Sequence, residues 1–489
     1  MRTSLPNVSW ILGLVVTSIL VHSISASPET SVSTDPNDAR ATNETNRALN
    51  RLSESRVFSG AVAVQKNGKL VFSEPFGSAS EELDVPLRDT HIFPVGANTK
   101  FFTAVAIYQL QEKGLLNVTD PVNSYIEPGD FGLPLIWCPM IHDKEQLGCQ
   151  EPTIKQMLQM SSGLLPTDDL DCGVSNSTWS DSEWFWQYRG TDWDLKWGDA
   201  MGLTGPWLAG NASHLDLLKF QEALGQPLLF APGSKYCYTN TNYHIAGYIV
   251  EKLANMPFGS YLEENILKPA NLSNTFYWTG MPGGQPGGLR KGIVPLPGYM
   301  TTFEGGSGPA KFKQVNRVTW FPGQLSTQAQ AAGALFSNMH DLLRWYNLVL
   351  TQPEVIGLSK QSVVNLTEPL QAVPGTNASY AQGLVVSKGP AQETQLTHNG
   401  GIWGFQTQIT VWVNAVDASK SDAVVVFSNL NPVIPFGMDG SCSVLSPEDG
   451  SKIDLNKNLC GNQEGASTTS YVTDQLANIW GMPVRYSSA

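Results

Sequence analysis

Strand-forming sequence stands near both ends of this chain and helix-forming sequence fills the middle, which leaves few folds open. Near the start, "GAVAVQKNGKLVFSEPFGSAS" (Gly60 to Ser80) alternates like two strands around Asn67-Gly68, a dipeptide that strongly favours a two-residue hairpin turn. Near the end, "GFQTQITVWVN" and "AVVVFSNLN" read as further strands, and "STTSYVTDQLANIW" as a last helix. Between them, "FPVGANTKFFTAVAIYQLQEKG" (Phe93 to Gly114) reads as a helix opening near Asn98 and closing at Gly114. Its Phe101, Val105 and Tyr108 fall on one stripe and Phe102, Ala106 and Leu110 on the next. Pro152 to Leu164 reads as a second helix ending at Gly163, and Ala329 to Leu350 as a third, capped near Ser337. The expectation is an α/β (α+β) fold. An antiparallel sheet comes from both chain ends, about 56–92 and about 380–430, and a mostly helical insertion occupies about 93–350.

What precedes the hairpin has a different character. Residues 1–26 carry Arg2, a short apolar run from Trp10 to Val21, and small residues up to Ala26. That is the pattern of a secretory signal peptide, and the run is short for a membrane span. No other stretch is long and apolar enough to cross a bilayer. Residues 27–43 are rich in Ser, Thr, Pro and Asp and read as a flexible linker, followed by a short helix around Thr45 to Ser55. A single domain is expected over 44–485. Seven N-x-S/T sequons follow the leader, at Asn43, Asn117, Asn176, Asn211, Asn271, Asn365 and Asn377, as expected of a glycosylated, secreted, extracellular protein. The six cysteines are even in number, which favours disulfides in an oxidising compartment. Proximity along the chain suggests Cys138–Cys149 and Cys442–Cys460, leaving Cys172–Cys237. No C-x-x-C and no H-E-x-x-H occurs, which makes a metal reading weak, and no cofactor is expected.

The net charge, −13, argues against a nucleic-acid partner, which would favour a basic face. Cys172 to Gly210 holds six of the 14 tryptophans. It reads as a packed subdomain where large rings bury area, with a lining for an apolar or sugar-like ligand as the alternative. Gly280 to Gly323 is rich in Gly and Pro and reads as a long surface loop.

The Phe93–Gly114 helix carries one oddity. Lys100 sits in its first turn, where the partial positive charge of the helix end disfavours a cation. Two later segments make sense of it. Tyr238-Thr239-Asn240 opens a helix in "KYCYTNTNYHIAGYIVEKL", and His398-Asn399-Gly400 lies on or beside a strand in "THNGGIWGFQTQI". In this order, Gly96-Ala97-Asn98-Thr99-Lys100 and these two segments resemble the three active-site elements of the serine β-lactamase and penicillin-binding-protein family. The likeness is to its class C, esterase and D-aminopeptidase-like branch, and the family pattern is S-x-x-K, then Y-x-N or S-x-N, then K-T-G or H-x-G. "TIKQMLQMSSGL" and "AAGALFSNMHDLLRW" are similar to two further family helices, and the resemblance spans roughly Asn50 to Trp480.

The resemblance implies a hydrolase or acyl-transfer mechanism acting on esters, amides or lactams. A serine hydroxyl at the helix start attacks a carbonyl. The lysine three residues on lies on the same face and, with the tyrosine, takes and relays the proton. Two backbone N–H groups hold the oxyanion. Lys100 and Tyr238 match the proton-relay positions, while Asn240, His398 and Gly400 match substrate-binding positions. The serine itself is absent: Ala97 stands in its place, and a methyl group cannot form an acyl-enzyme. Thr99 points about 100° away on the helix. The expected function is a catalytically impaired pseudo-hydrolase that keeps a cleft for a small acyl, peptide or ester ligand. The alternatives are an active hydrolase using a water activated by Tyr238 and Lys100, and a secreted protein that binds a protein partner.

Overall fold

The structure, a computed structural model, describes residues 35–126, 151–164, 228–278, 296–305, 307–317, 329–388, 393–402, 404–436, 438, 440–455, 459–460 and 467–483. The hairpin forms from β1 (Gly60–Lys66) and β2 (Lys69–Phe76). Asn67 and Gly68 both take positive φ, 49° and 76°, as the favoured two-residue hairpin turn requires. The remaining strands of the main sheet are β3 (Gln371–Ala372), β4 (Ala378–Tyr380), β5 (Val385–Lys388), β6 (Thr394–Ile402), β7 (Phe405–Val413) and β8 (Asp422–Ser428). The eight strands run in the order β3-β4-β5-β6-β7-β8-β1-β2, each neighbouring pair antiparallel. Pairing of β1 with β8 joins the two ends of the chain within one sheet.

Strand alternation divides the side chains between two cores. Ala61, Ala63, Val425 and Phe427 face one core, and Val62, Val64, Val424 and Val426 face the other. The second core is closed by the two terminal helices, α1 (Pro36–Glu54) through Leu49 and Leu52 and the last helix, Thr468–Ile479, through Val472 and Leu476. The first core is filled by α2 (Thr99–Glu112), α3 (Ile154–Leu158), α4 (Thr241–Ala254) and α5 (Met339–Thr351). Helices therefore cover both faces of the sheet. Every residue of α2 from Thr99 to Leu110 is buried. Its two apolar stripes belong to a helix enclosed on all sides, with Phe102 stacked on Trp345 at 4.2 Å between ring centroids.

Several expectations are corrected. The linker assigned to 27–43 is helical from Pro36, because the Asp35 side chain accepts from Asn37 N–H and Pro36 pre-sets φ in the first turn. The helix over Pro152–Leu164 shortens to α3. It opens with a capping box of Thr153 and Gln156 and stops where Met160 turns to φ 63°. The helix over Ala329–Leu350 is interrupted by a strand, Leu335–Ser337, that pairs with Phe93–Pro94 and Phe276–Tyr277. The cap of α5 is Asn338, beside the expected Ser337, and its side chain accepts from Asp341 N–H. The Gly/Pro-rich stretch contains two paired strands, Tyr299–Glu304 and Lys311–Arg317, and the first runs parallel to Leu430–Val433. Cys442 and Cys460 are bonded to each other. Cys237 is also disulfide-bonded, while Cys138, Cys149, Cys172 and the Trp-rich segment lie outside the described residues. Among the described residues no helix is long and apolar enough to cross a membrane.

Candidate active site

Two glycines decide how the start of α2 meets β6. Gly96 has φ 53°, and a Cβ built on it would lie 3.0 Å from Gly401 N. A Cβ on Gly400 would lie 2.0 Å from the Val95 carbonyl oxygen. Only residues without side chains let the two backbones approach so closely. The contact is pinned by Asn98, whose Nδ2 donates to Thr407 Oγ1 on β7 at 3.0 Å and to Val95 O at 3.3 Å. Thr407 Oγ1 in turn donates to Val95 O at 2.9 Å. Between Phe93 and Leu110, Ala97 alone is not buried. It is the point at which this helix start opens outward.

Lys100 lies one turn further in and is 1% exposed. Its ammonium donates to Asn240 Oδ1 at 2.5 Å and to the Ala332 carbonyl at 2.9 Å. It stands 4.8 Å from the centre of the Tyr238 ring and 5.6 Å from that of Tyr243. A buried charge is costly unless acceptors surround it, and the fold brings these from two distant segments. Ala332 is held beside α2 because Thr103 Oγ1 donates to Ala331 O and Leu335 N–H donates to Thr99 Oγ1. Asn240 and Tyr238 precede α4, which is tied to the α3 region by Tyr243 O–H to Leu158 O at 2.7 Å and Ser162 O–H to Asn242 Oδ1 at 2.6 Å.

His398 adjoins this group from β6. Its ring lies 6.4 Å from that of Tyr238, centre to centre. Nδ1 is 2.6 Å from the Asn399 carbonyl, which can only accept, so Nδ1 carries the proton. Nε2 is then an acceptor, and Tyr380 O–H donates to it at 3.0 Å. Burial, and secondarily the Lys100 charge, push the imidazole down to about 3, so His398 is neutral at physiological pH. Burial also pushes the Tyr380 phenol upward.

Lys100, Tyr238 and Asn240 are thus in direct contact, and His398 packs beside Tyr238. Ala97 is the partly exposed residue of this helix start, and Gly400 is buried against Val95. Two of the substrate-binding assignments acquire a different physical content. The His398 side chain is 2% exposed and bonded to Tyr380, and Gly400 is buried where a close backbone approach needs it. The exposed positions of this strand are Asn399 and Gly401, so a ligand lying along it meets these and the backbone. Sequence reasoning missed Tyr380, Tyr243 and the Ala332 carbonyl. Tyr380 is two strands away from His398 in the sheet, and no local pattern marks it. Among the described residues no group of three His, Cys, Asp or Glu side chains could hold a metal ion. The site can hold a positive charge, donate hydrogen bonds and pass a proton between Lys100 and a neighbour. It offers no hydroxyl at the position of Ala97.

The family model described as Beta-lactamase matches residues 45–439. Penicillin-binding protein 4* of Bacillus subtilis is 24% identical over 364 residues, covering 74% of this chain and 67% of that protein. The chain spans about two thirds of the length of the relatives it matches in sequence. The octameric penicillin-binding protein homologue from Pyrococcus abyssi superposes with a TM-score of 0.58 at 19% identity, over 90% of this chain and 77% of its own. The D-stereospecific amidohydrolase from a Streptomyces species gives 0.54 at 24% identity, over 80% and 94%. These structural likenesses establish a shared fold.

Proposed function

The chain belongs to the β-lactamase family, and on that premise we propose that it is a secreted member whose cleft binds acyl compounds without forming an acyl-enzyme. The family's hydrolytic and acyl-transfer character supports the ligand class: esters, amides or lactams. The observation that carries the second half is the pairing of Ala97 with an intact Lys100. The ammonium keeps acceptors from Asn240 and Ala332 and lies over Tyr238, while the residue three positions before it ends in a methyl group. Loss of the nucleophile in a hydrolase leaves a residual rate of roughly 10³–10⁴ over water, from binding and oxyanion stabilisation. Secretion is supported by the leader pattern and by the Cys442–Cys460 disulfide, which suits an oxidising compartment.

Ala97→Ser tests the reading. The new hydroxyl attacks the carbonyl of a reactive ester or β-lactam probe, an O–C bond forms and the probe's ester C–O or lactam C–N bond breaks. Tyr238 takes the hydroxyl proton while Lys100 gives one to the leaving oxygen or nitrogen, so that the pair ends with the protons it began with. Intact-protein mass spectrometry is expected to show the acyl adduct on Ala97→Ser and none on the natural chain. A misplacement of ~1 Å costs roughly a hundredfold in rate, so slow labelling still counts. Labelling of the natural chain at any residue would overturn the proposal. Ester turnover by the natural chain without an adduct, abolished by Lys100→Met, would replace it with the activated-water reading. Saturable quenching of tryptophan fluorescence by the unreacted probe is expected for a cleft that retains binding.

A further inference from the structure

We propose that the folded chain carries N-linked glycans at Asn117, Asn271 and Asn377, and that the two sequons built into helices, at Asn43 and Asn365, are filled far less. The inference rests on the secretory reading above. Five of the seven sequons fall on described residues, and the structure separates them into two kinds.

Three lie in exposed turns. Asn117 follows the C-terminal end of α2, and its Oδ1 accepts from Thr119 N–H at 3.1 Å and from Thr119 Oγ1 at 2.9 Å. The sequon's hydroxyl thus rests against the amide, and Oδ1 takes both bonds while Nδ2 carries none. Asn271 is exposed at φ 53°, beside an exposed Ser273. Asn377 is exposed in the turn between β3 and β4, which Thr376 tightens by donating its N–H to Val373 O and accepting from Ala378 N–H.

The other two are helical. Residues i and i+2 on a helix point about 200° apart, so the hydroxyl cannot approach the amide. Asn43 lies inside α1, and its Thr45 is fully buried with Oγ1 accepting from Trp480 Nε1 at 3.0 Å. Asn365 lies on α6 (Lys360–Thr367), half-buried. Its Oδ1 accepts from Gln361 Nε2 at 3.0 Å and its carbonyl from Gln382 Nε2 at 3.4 Å, while Thr367 Oγ1 donates back to Val363 O at 2.9 Å.

In the transfer, one Nδ2–H is replaced by a bond to the anomeric carbon of a lipid-pyrophosphate-linked oligosaccharide. The C–O bond to the pyrophosphate breaks, and the pyrophosphate leaves with the proton. Such a bulky polar group belongs on surface loops. The placement also has a use. α2 is about 21 Å long at 1.5 Å per residue, so the Asn117 glycan stands at the end remote from Lys100. The Asn377 glycan borders β3, the outermost strand of the sheet, and exposed sheet edges need covering against pairing with other chains.

The full chain is expressed in a eukaryotic cell line, once with its own leader and once behind a heterologous secretion leader. Glycans are released by an amidase that converts each occupied Asn to Asp in heavy-oxygen water, and peptides are read by mass spectrometry. Most molecules are expected to be labelled at Asn117, Asn271 and Asn377, and a minority at Asn43 and Asn365. Asn117→Gln, Asn271→Gln and Asn377→Gln should each remove the mass of one glycan. Equal or higher occupancy at the helical sequons, or bare turn sequons in secreted protein, would overturn the assignment and leave secretion standing. Retention of the first chain inside the cell with residues 1–26 intact would overturn the secretory reading instead. The second chain still tests the sites in that case.

Discussion

A lysine in the first turn of a helix meets the positive end of the helix dipole, and burial adds a desolvation cost. Lys100 bears both because Asn240 Oδ1, the Ala332 carbonyl and the faces of Tyr238 and Tyr243 surround its ammonium. The oddity of Lys100 was legible in the sequence. Its acceptors were only partly so, since a backbone carbonyl 232 positions away leaves no trace in the residue types. His398 shows the same division. Its place in a three-residue motif is readable, whereas its tautomer depends on Tyr380 and on its own neighbour's carbonyl. The neutral state has a measurable consequence. The folded-state value is about 3 against an ordinary 6.5, so above pH 6.5 neither state binds the proton. As pH falls from 6.5 toward 3 the unfolded chain takes up a proton that the folded chain refuses, and stability drops by about 1.4 kcal/mol per pH unit. Urea titrations of the natural chain between pH 7 and pH 4 should show a steeper loss than His398→Gln, which keeps an acceptor for Tyr380 but cannot titrate. Parallel losses in the two proteins would show that His398 is not the group responsible.

Elements were legible in kind more than in extent. The hairpin of β1 and β2 follows directly from Asn67-Gly68, because that dipeptide accommodates left-handed conformations at both positions. The segment around Ala329–Leu350 misled because an apolar run serves a buried strand as well as a helix. The pairing of Leu335–Ser337 with two strands distant in sequence decided it. The close seat of α2 on β6 was not legible either. Gly400 and Gly401 stand side by side, yet a Cβ on Gly400 would press to 2.0 Å from the Val95 carbonyl while one on Gly401 would meet nothing within 4 Å. Gly400→Ala is therefore expected to lose about 2 kcal/mol through overpacking. Gly401→Ala should stay within about 0.5 kcal/mol of the natural chain. Urea midpoints of the two variants check this, and equal midpoints would mean that the helix start does not depend on this contact.

At the scale of the whole molecule, the chain ends are held together twice. The sheet pairs β1 with β8, and α1 packs near the last helix through Trp480 Nε1 donating to Thr45 Oγ1. The Cys442–Cys460 disulfide closes a loop of 18 residues beside this second core. By the loop-entropy argument such a closure stabilises by about 3 kcal/mol. The double variant Cys442→Ser/Cys460→Ser should melt several degrees lower, as followed by circular dichroism. An unchanged melting temperature would mean that native packing already restrains the loop. The residue pattern by itself determined the class of fold: strands at both ends, helices between, and five family segments in order. These rest on local periodicity and on chemistry tied to short motifs. Only the tertiary structure decided which faces are enclosed. It made α2 a buried helix, buried His398 against Tyr380, and left Ala97 as the partly exposed residue of the helix start. Those outcomes depend on contacts between residues far apart in the chain, and no local pattern specifies such contacts.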